Sequence, residues 1–175
     1  MHVLETERLS LRRIALSDAA IILELTQDPD WIRFVGDPGL KTLADGEGFI
    51  RSRFHAAYEK TGIGLWMVEE KSTSTLLGIC GLINRDSLED VDLGFGFLKQ
   101  HRRCGFAYEA CLGCLEYAKD ELQLTRIVAI TAQGNEASGQ LLEKLGFSFE
   151  KLFPFEKEEV LLRLFARQIG KIEPR

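Results

Sequence analysis

A glycine-containing turn with two neighbouring arginines has the residue types best suited to binding a charged ligand. Arg102, Arg103 and Gly105 stand between a predicted strand and a predicted helix. The first N–H groups of a helix have no acceptor within it, and the helix dipole is positive at that end. A phosphate or diphosphate can bind there, and glycine lets it approach the backbone. The spacing predicts an anion site, and a plain turn with solvated arginines is an equally good interpretation.

A second group of polar residues lies further along the chain. Asn135 and Ser138 open a predicted helix that ends at Gly146. Asparagine is a common N-cap, yet both side chains can also hydrogen-bond a ligand. Asp92 begins the predicted strand 92–98 and is either an exposed carboxylate or a general base. Each of these residues therefore has a structural and a functional interpretation.

The elements that must position these residues predict an α/β fold with one mixed sheet. Strand patterns of apolar residues alternate along the chain with segments of helical periodicity. No internal repeat, low-complexity tract or linker divides the chain, so we expect residues 1–175 to form a single domain with helices on both faces of the sheet. The predicted strands are 8–12, 64–68, 76–83, 92–98, 126–130, 147–152 and 160–165, and the predicted helices are 17–25, 42–60, 107–122 and 135–146.

Size, composition and charge exclude several classes of protein. The 175 residues, 45% of them hydrophobic and 28% charged, suit one domain with a sizeable core. No apolar run reaches the roughly 18 residues of a membrane helix, and the first residues do not resemble a signal peptide. The net charge of −5, without a basic stripe, argues against nucleic acid as a partner. We therefore expect a cytoplasmic protein that binds neither membranes nor nucleic acid.

The four cysteines predict a buried apolar surface more readily than a metal or redox site. Cys111 and Cys114 lie three residues apart on the apolar face of a predicted helix. Free cysteine behaves as a small hydrophobic residue in a reducing compartment. No second cysteine pair or histidine cluster supplies further zinc ligands, so we expect no metal.

Three blocks of residues resemble the GNAT superfamily of N-acetyltransferases. Arg102-x-x-Gly105-x-Ala107 resembles its acyl-CoA loop, and the block from Asn135 to Phe147 resembles a second superfamily motif. The N-terminal block is similar to the opening of RimJ/RimL-like members, the ribosomal-protein-alanine acetyltransferase type, and consists of Thr6, Glu7, Arg8, Leu9, Leu11, Arg12 and Asp18.

The resemblance implies the GNAT acyl-CoA N-acyltransferase fold, with a central, mostly antiparallel sheet of about seven strands. Its fourth and fifth strands, here 92–98 and 126–132, would splay at a bulge for which Gly94 and Gly96 are suitable. The pantetheine arm of acetyl-CoA would lie in the gap, and the diphosphate would bind the N–H groups of the turn. The implied coenzyme-binding residues are Phe97, Leu98, Arg102, Arg103, Cys104, Gly105, Phe106, Ala107, Asn135 and Ser138.

The activity implied is acetyl-CoA-dependent acetylation of a primary amine by direct attack in a ternary complex. Many members carry a tyrosine seven residues after the motif asparagine, as proton donor to the coenzyme thiolate, but Leu142 stands there. Ser138 is then the nearest substitute, and Asp92 is the candidate base unless a water chain removes the proton. The missing tyrosine also permits a non-catalytic acyl-CoA-binding sensor.

The acceptor is the least determined part of the prediction. A protein N-terminal amine is nearest to the RimJ/RimL resemblance, and a small-molecule amine, amino acid or antibiotic is the alternative. Trp31, Phe34 and Trp66 either line the acceptor pocket or belong to the core. RimJ/RimL-like proteins are often dimers, so the chain is expected to be a monomer or a homodimer.

Overall fold

One mixed sheet organises the protein, whose computed structural model describes residues 1–154 and 160–170. Within those residues the sheet has eight strands in the order β1-β2-β3-β4-β5-β6-β8-β7. Neighbouring strands are antiparallel except β5 and β6, which are parallel. The strands are β1 His2–Glu5, β2 Leu9–Arg13, β3 Leu65–Glu70, β4 Thr75–Ile83, β5 Asp92–Phe97, β6 Arg126–Ala132, β7 Ser148–Pro154 and β8 Leu161–Gln168. The α-helices are α1 Ala19–Gln27, α2 Pro29–Phe34, α3 Leu43–Phe49, α4 Ala56–Thr61, α5 Phe106–Asp120 and α6 Glu136–Lys144.

The fold class predicted from the sequence is confirmed, with two elements added. The edge strand β1 raises the number of strands from about seven to eight, and it is only four residues long. The other addition is α2, a segment for which the sequence predicts no helix. Asp28 caps it by accepting the N–H groups of Asp30 and Trp31, and Pro29 occupies its first turn.

The predicted helix 42–60 is present but is not uniform. The α-helices α3 and α4 are joined by a π-helical turn at Ile50–His55. Gly46, which lowered the helical propensity, packs against α1, where an added Cβ would lie 3.0 Å from the Ala19 carbonyl oxygen. Close packing between two helices therefore explains this glycine.

Helices cover both faces of the sheet. Trp66, Cys80 and Phe95 are cross-strand neighbours and share one face with α5. On that face the Trp66 ring packs edge-on against Tyr117 of α5, with centroids 5.4 Å apart. The opposite face carries Gly96, whose backbone lies beneath α2. The two faces therefore receive different groups of helices, and the core lies on each side of the central strands.

The buried cysteines belong to the α5 face. Cys80 of β4 lies with its Sγ atom 3.7 Å from Cys111 Sγ and 3.6 Å from Cys114 Sγ. All three are free thiols without solvent exposure, whereas Cys104 is exposed. Within residues 1–154 and 160–170, no group of three or more histidine, cysteine or acidic side chains is arranged to hold a metal ion. Nor is any described helix long and apolar enough to cross a membrane.

The parallel strands β5 and β6 separate almost at once. They pair at Asp92 and Val128, where the Val128 N–H donates to the Val91 carbonyl at 3.0 Å. From there β5 follows β4, while β6 pairs with β8 along its length. We call this point of separation the fork.

The splay predicted between these strands is present, but its expected cause is not. The register between β4 and β5 runs without a shift from the pair of Ile83 and Asp92 to the pair of Gly78 and Phe97. A bulge would have interrupted that register, so the bulge predicted at Gly94 and Gly96 is wrong. The gap forms because β5 stays with one half of the sheet and β6 with the other.

Candidate active site

Two helices begin at the mouth of the gap. Because β5 and β6 are parallel, their carboxyl ends lie at the same edge of the sheet. Each strand is followed by a turn and a helix, β5 by α5 and β6 by α6. The positive ends of both helix dipoles therefore face the same side of the fork, which favours binding of an anionic ligand there.

The turn before α5, residues 102–105, has the geometry of an anion site and is called the Gly105 turn below. Gly105 is the N-cap of α5 with φ +81°, and it offers no side chain to the first turn of the helix. Arg103 is also left-handed, with φ +61°. The first N–H groups of the helix, on Phe106 and Ala107, have no acceptor within the helix. Gly105 leaves these groups without a side-chain cap, and their binding of phosphate oxygens stays a prediction.

The structure assigns Arg102 a different task from that of a free cation. Its Nη1 lies 2.8 Å from Asp30 Oδ2, its Nη2 lies 3.1 Å from Asp28 Oδ1, and its Nε donates to the Phe97 carbonyl at 2.9 Å. Burial alone would raise the pKa of Asp28, but hydrogen bonds from Arg102 and from the backbone lower it. Arg102 thus ties the Gly105 turn to α2, while Arg103 stays exposed.

Sequence reasoning missed Arg8, whose side chain reaches the same turn. Its Nη1 donates to the Cys104 carbonyl at 3.3 Å, and its guanidinium carbon lies 4.6 Å from the centroid of the Phe106 ring. The residue belongs to the N-terminal block used for the family resemblance, but nothing in that block connected it with a turn almost a hundred residues away. Only the docking of β2 beside α5 brings them together.

The backbone groups that face the gap come from alternate residues of β5. The Leu98 N–H donates to the Leu77 carbonyl of β4 at 3.0 Å, so it is turned away from the gap. By the alternation of a strand, Phe95 and Phe97 turn their N–H and C=O groups toward β6. The Phe97 carbonyl already accepts from Arg102. An extended ligand in the gap would therefore find its partners mainly at Phe95 and at the Phe97 N–H.

The start of α6 places Asn135 and Ser138 at the mouth of the gap. Asn135 is the N-cap, and its Oδ1 accepts the Ser138 N–H at 3.2 Å. The cap interpretation is thus present, and the amide nitrogen of Asn135 is not used by it. The Ser138 hydroxyl has no hydrogen-bond partner among the described residues. Leu142, where many relatives have tyrosine, is fully buried in the core.

Asp92 lies at the fork and is almost entirely buried, with 1% exposure. Its Oδ2 lies 2.7 Å from Arg85 Nε, and its Oδ1 accepts the Ile130 N–H of β6 at 3.3 Å. Burial raises the pKa of the carboxyl, and Arg85 offsets only part of that rise. The prediction of an exposed strand-start carboxylate is wrong. A role as base stays a prediction.

The three aromatic candidates for the acceptor pocket separate into core and surface. Trp66 is 1% exposed and packs under α5, so it belongs to the core. Trp31 of α2 lies over β5, where an added Cβ on Gly96 would come within 2.7 Å of its ring. Phe34, also on α2, is half-buried. The helix α2 therefore forms a wall over β5, beside the gap, and Gly96 lets that wall approach the strand.

Comparison with known sequences identifies a shared domain. A sequence model of the acetyltransferase (GNAT) domain matches residues 8–148. The uncharacterised N-acetyltransferase YoaA of Bacillus subtilis is 33% identical over 150 residues, which cover 85% of this chain and 84% of YoaA. The span matched by the domain model includes the segment from β2 to α6, which forms both helix starts.

Solved structures share the fold at lower identity. RimL, a ribosomal alpha-N-protein acetyltransferase in complex with coenzyme A, has a TM-score of 0.80 at 11% identity, covering 97% of this chain and 98% of its own. Spermidine N-acetyltransferase from Vibrio cholerae, in complex with CoA and spermine, has a TM-score of 0.74 at 18% identity, covering 94% and 97%. At these identities the likeness shows a common fold, and the two acceptors differ.

Proposed function

The chain belongs to the GNAT family of acetyltransferases and is an acyltransferase, and from that premise we propose that it transfers the acetyl group of acetyl-CoA to the N-terminal amine of a protein. The fork between β5 and β6 carries this proposal. Strands that remain paired leave no space between them, whereas here a single pair of residues, Asp92 and Val128, joins the two strands before they separate. The Gly105 turn stands at the open end of that gap.

We place the coenzyme by the chemistry of the groups that face it. The diphosphate binds the N–H groups of the Gly105 turn, because an uncapped helix start favours an anion. The pantetheine arm lies along β5 and pairs with the backbone of Phe95 and Phe97 as an added strand would. Asn135 supplies its amide nitrogen from the opposite wall. Phe106 and Ala107 contribute backbone, while Arg102 and Leu98 support the site from behind.

Acetyl transfer requires a neutral amine, stabilisation of the tetrahedral oxyanion and a proton for the departing thiolate. The backbone N–H groups of β5 that face the gap are positioned to donate hydrogen bonds to the oxyanion. The hydroxyl of Ser138 is the proposed proton donor to the thiolate. The buried Leu142, which replaces the tyrosine of many relatives, has no proton to donate. Asp92 stands at the closed end of the gap and is the proposed base, directly or through water. An N-terminal amine with a pKa of about 8 needs little assistance near neutral pH.

The wall formed by α2 favours a protein N-terminus over a polyamine. Asp28 and Asp30 are the acidic residues of this segment, and both are paired with Arg102, so that with Arg33 the four residues carry no net charge. Besides these charges the segment exposes apolar side chains: Trp31 lies beside β5, Ile32 is 41% exposed, and Val35, just after α2, is 65% exposed. A polycation needs unpaired carboxylates along its length, whereas a peptide end with one amine and an apolar side chain does not.

A peptide panel tests the proposal. The protein is mixed with acetyl-CoA and unblocked peptides, the same peptides with a methylated or acetylated α-amine, and spermidine, while free thiol is measured. We expect thiol release with unblocked peptides and none with acetylated ones. Release with spermidine alone would overturn the choice of acceptor and leave the enzyme class intact.

A non-catalytic acyl-CoA sensor is a second candidate, because the tyrosine of many relatives is replaced by the buried Leu142. Calorimetric titration with CoA separates this possibility from a failed panel. The sensor would be favoured if CoA binds tightly, no amine causes thiol release, and the affinity for CoA is unchanged in Ser138→Ala. Turnover that falls in Ser138→Ala would remove it.

A further inference from the structure

We propose that Arg8 is a coenzyme-binding residue, whose guanidinium donates a hydrogen bond to the diphosphate held by the Gly105 turn. This inference rests on the proposed function and extends its site to the turn between β1 and β2. Arg8 lies close enough for that contact. Its Nη2 is 3.3 Å from the position that a Cβ on Gly105 would occupy. The same guanidinium contacts the Cys104 carbonyl and stacks on the Phe106 ring, so it lies across the start of α5.

The orientation of Arg8 is fixed by Glu109, which lies in the first turn of α5. Arg8 Nε lies 2.6 Å from Glu109 Oε2, and the Arg8 backbone N–H donates to Oε1 at 2.7 Å. The Thr6 hydroxyl donates to the same Oε1 at 2.6 Å. Burial would raise the pKa of Glu109, but these bonds from Thr6 and Arg8 lower it. The carboxylate therefore stays charged near neutral pH and holds the guanidinium in one position.

One nitrogen of the Arg8 guanidinium is left over. Nε and Nη1 have acceptors, whereas Nη2 has none within the part of the chain that the structure describes. The side chain is 43% exposed, so a ligand can reach it. A guanidinium donates through five N–H groups in a fixed fork, which suits the oxygens of a phosphate. The unused nitrogen, Nη2, is also the Arg8 atom that lies nearest to Gly105.

The electrostatics of the turn also favour an anion. A guanidinium placed beside the N-terminus of a helix meets the positive end of the dipole, which is unfavourable. Glu109 compensates part of this charge. Arg102, the other arginine of the turn with fixed contacts, is neutralised by Asp28 and Asp30 and faces α2 instead. A bound diphosphate would complete the balance of charge at the place where Arg8 and the free N–H groups meet.

The test compares ligands that carry the diphosphate with one that lacks it. Arg8→Gln and Arg8→Lys are titrated with CoA and with 3′-dephospho-CoA, and turnover is measured with acetyl-CoA and with acetyl-pantetheine, which lacks the diphosphate and the adenosine attached to it. Loss of a charge-assisted hydrogen bond should weaken binding of CoA and of 3′-dephospho-CoA by about tenfold each in Arg8→Gln. Turnover of acetyl-pantetheine should stay at the wild-type rate. Arg8→Lys should recover part of the affinity.

Arg53→Gln is the matched control, because it removes the same charge at an exposed position of the π-helical turn. It should leave both affinities unchanged. Equal losses with acetyl-pantetheine and acetyl-CoA would mean that Arg8 only supports the fold and would overturn the inference. A loss seen with CoA and not with 3′-dephospho-CoA would assign Arg8 to the 3′-phosphate and overturn the contact with the diphosphate. Wild-type protein that binds no CoA would instead refute the proposed function.

Discussion

Two strand-to-helix turns lie at the same edge of the sheet and begin their helices in opposite ways. Gly105 starts α5 without a side-chain cap, whereas Asn135 caps α6 by accepting the Ser138 N–H. Both follow parallel strands, and both point a helix dipole at the gap. The residue at the N-cap therefore decides whether a helix start satisfies itself or remains open to a ligand.

The arginines beside the two turns differ in the same way. Arg163 of β8 supports the α6 turn, donating from Nη2 to the Asn135 carbonyl at 2.8 Å and from Nε to Thr131 Oγ1 at 3.2 Å. Its Nη1 lies 3.5 Å from Glu136, so all its nitrogens have partners. Arg8, in contrast, keeps Nη2 beside Gly105 without a partner among the described residues. The hydrogen-bonding groups of the α6 turn are satisfied by neighbouring residues. The Gly105 turn is held in place by its neighbours but keeps donors that a ligand can use.

The largest expected effect comes from closing the open turn. Gly105→Val places a β-branched residue at φ +81°. It also directs a side chain at Arg8, because even a Cβ on residue 105 would lie 3.3 Å from Arg8 Nη2. We expect affinity for acetyl-CoA to fall by about tenfold or more, corresponding to about 1.4 kcal/mol. Isothermal titration with CoA measures the loss, and thermal unfolding measures the backbone strain.

Gly134→Val is the control for that comparison. Gly134 precedes α6 with φ +84°, and a Cβ there meets no atom within 4 Å. The variant carries the same kind of strain, of about 1–3 kcal/mol, without touching the Gly105 turn. Equal losses of affinity in both variants would show that strain, and not obstruction of an anion site, explains the result.

The sequence predicted the open turn better than its surroundings. Gly105 and the helix after it follow from a local pattern, and so does the capping of α6 by Asn135. The fork also followed, through the family resemblance, but its cause did not. Whether β5 leaves β6 or bulges within its own ladder depends on which neighbours each strand keeps. Those pairings are contacts between distant residues, and no local pattern encodes them.

Side-chain partners were predicted less well than backbone elements. Arg102 was taken as a cation for the ligand, because a sequence shows its charge and hides Asp28 and Asp30 across the turn. Trp31 and Trp66 are the same residue type, yet one covers the gap and the other lies in the core. The helix α2 was missed even though Asp28 and Pro29 form a recognisable start, because its six residues are too few for periodicity.

A middle-sized effect is expected at the closed end of the fork, from which both turns diverge. Asp92→Asn keeps an oxygen for the Ile130 N–H and removes the charge that faces Arg85. Because the pKa of Asp92 is raised, the wild-type carboxyl accepts a proton only above that pKa, and the amine depends on a base more strongly as the pH falls below about 8. Between the pKa of Asp92 and about pH 8 we expect turnover to be about fivefold lower in Asp92→Asn than in the wild type. This is less than a full general-base contribution, because water also removes the proton.

The pH profile of turnover decides the role of Asp92. Above about pH 8 the amine is already neutral, so the wild type and Asp92→Asn should converge there. A variant that is slower by one constant factor at every pH would show that Asp92 shapes the fork without taking a proton. An unchanged profile at the wild-type rate would remove the residue from the mechanism.

The smallest expected effect separates the two tasks of the closed turn. Asn135→Ala removes both the cap and the side-chain amide, and should lower the free energy of unfolding by about 1 kcal/mol. Asn135→Asp restores the cap, because its carboxylate accepts the Ser138 N–H and interacts favourably with the positive end of the helix dipole. It lacks the amide donor of asparagine. If that donor binds the pantetheine arm, stability returns in Asn135→Asp while KM for acetyl-CoA stays raised by about twofold. Recovery of KM together with stability in Asn135→Asp would mean that Asn135 only caps α6. The α6 turn would then have a structural role alone, and the Gly105 turn would be the one that binds the ligand.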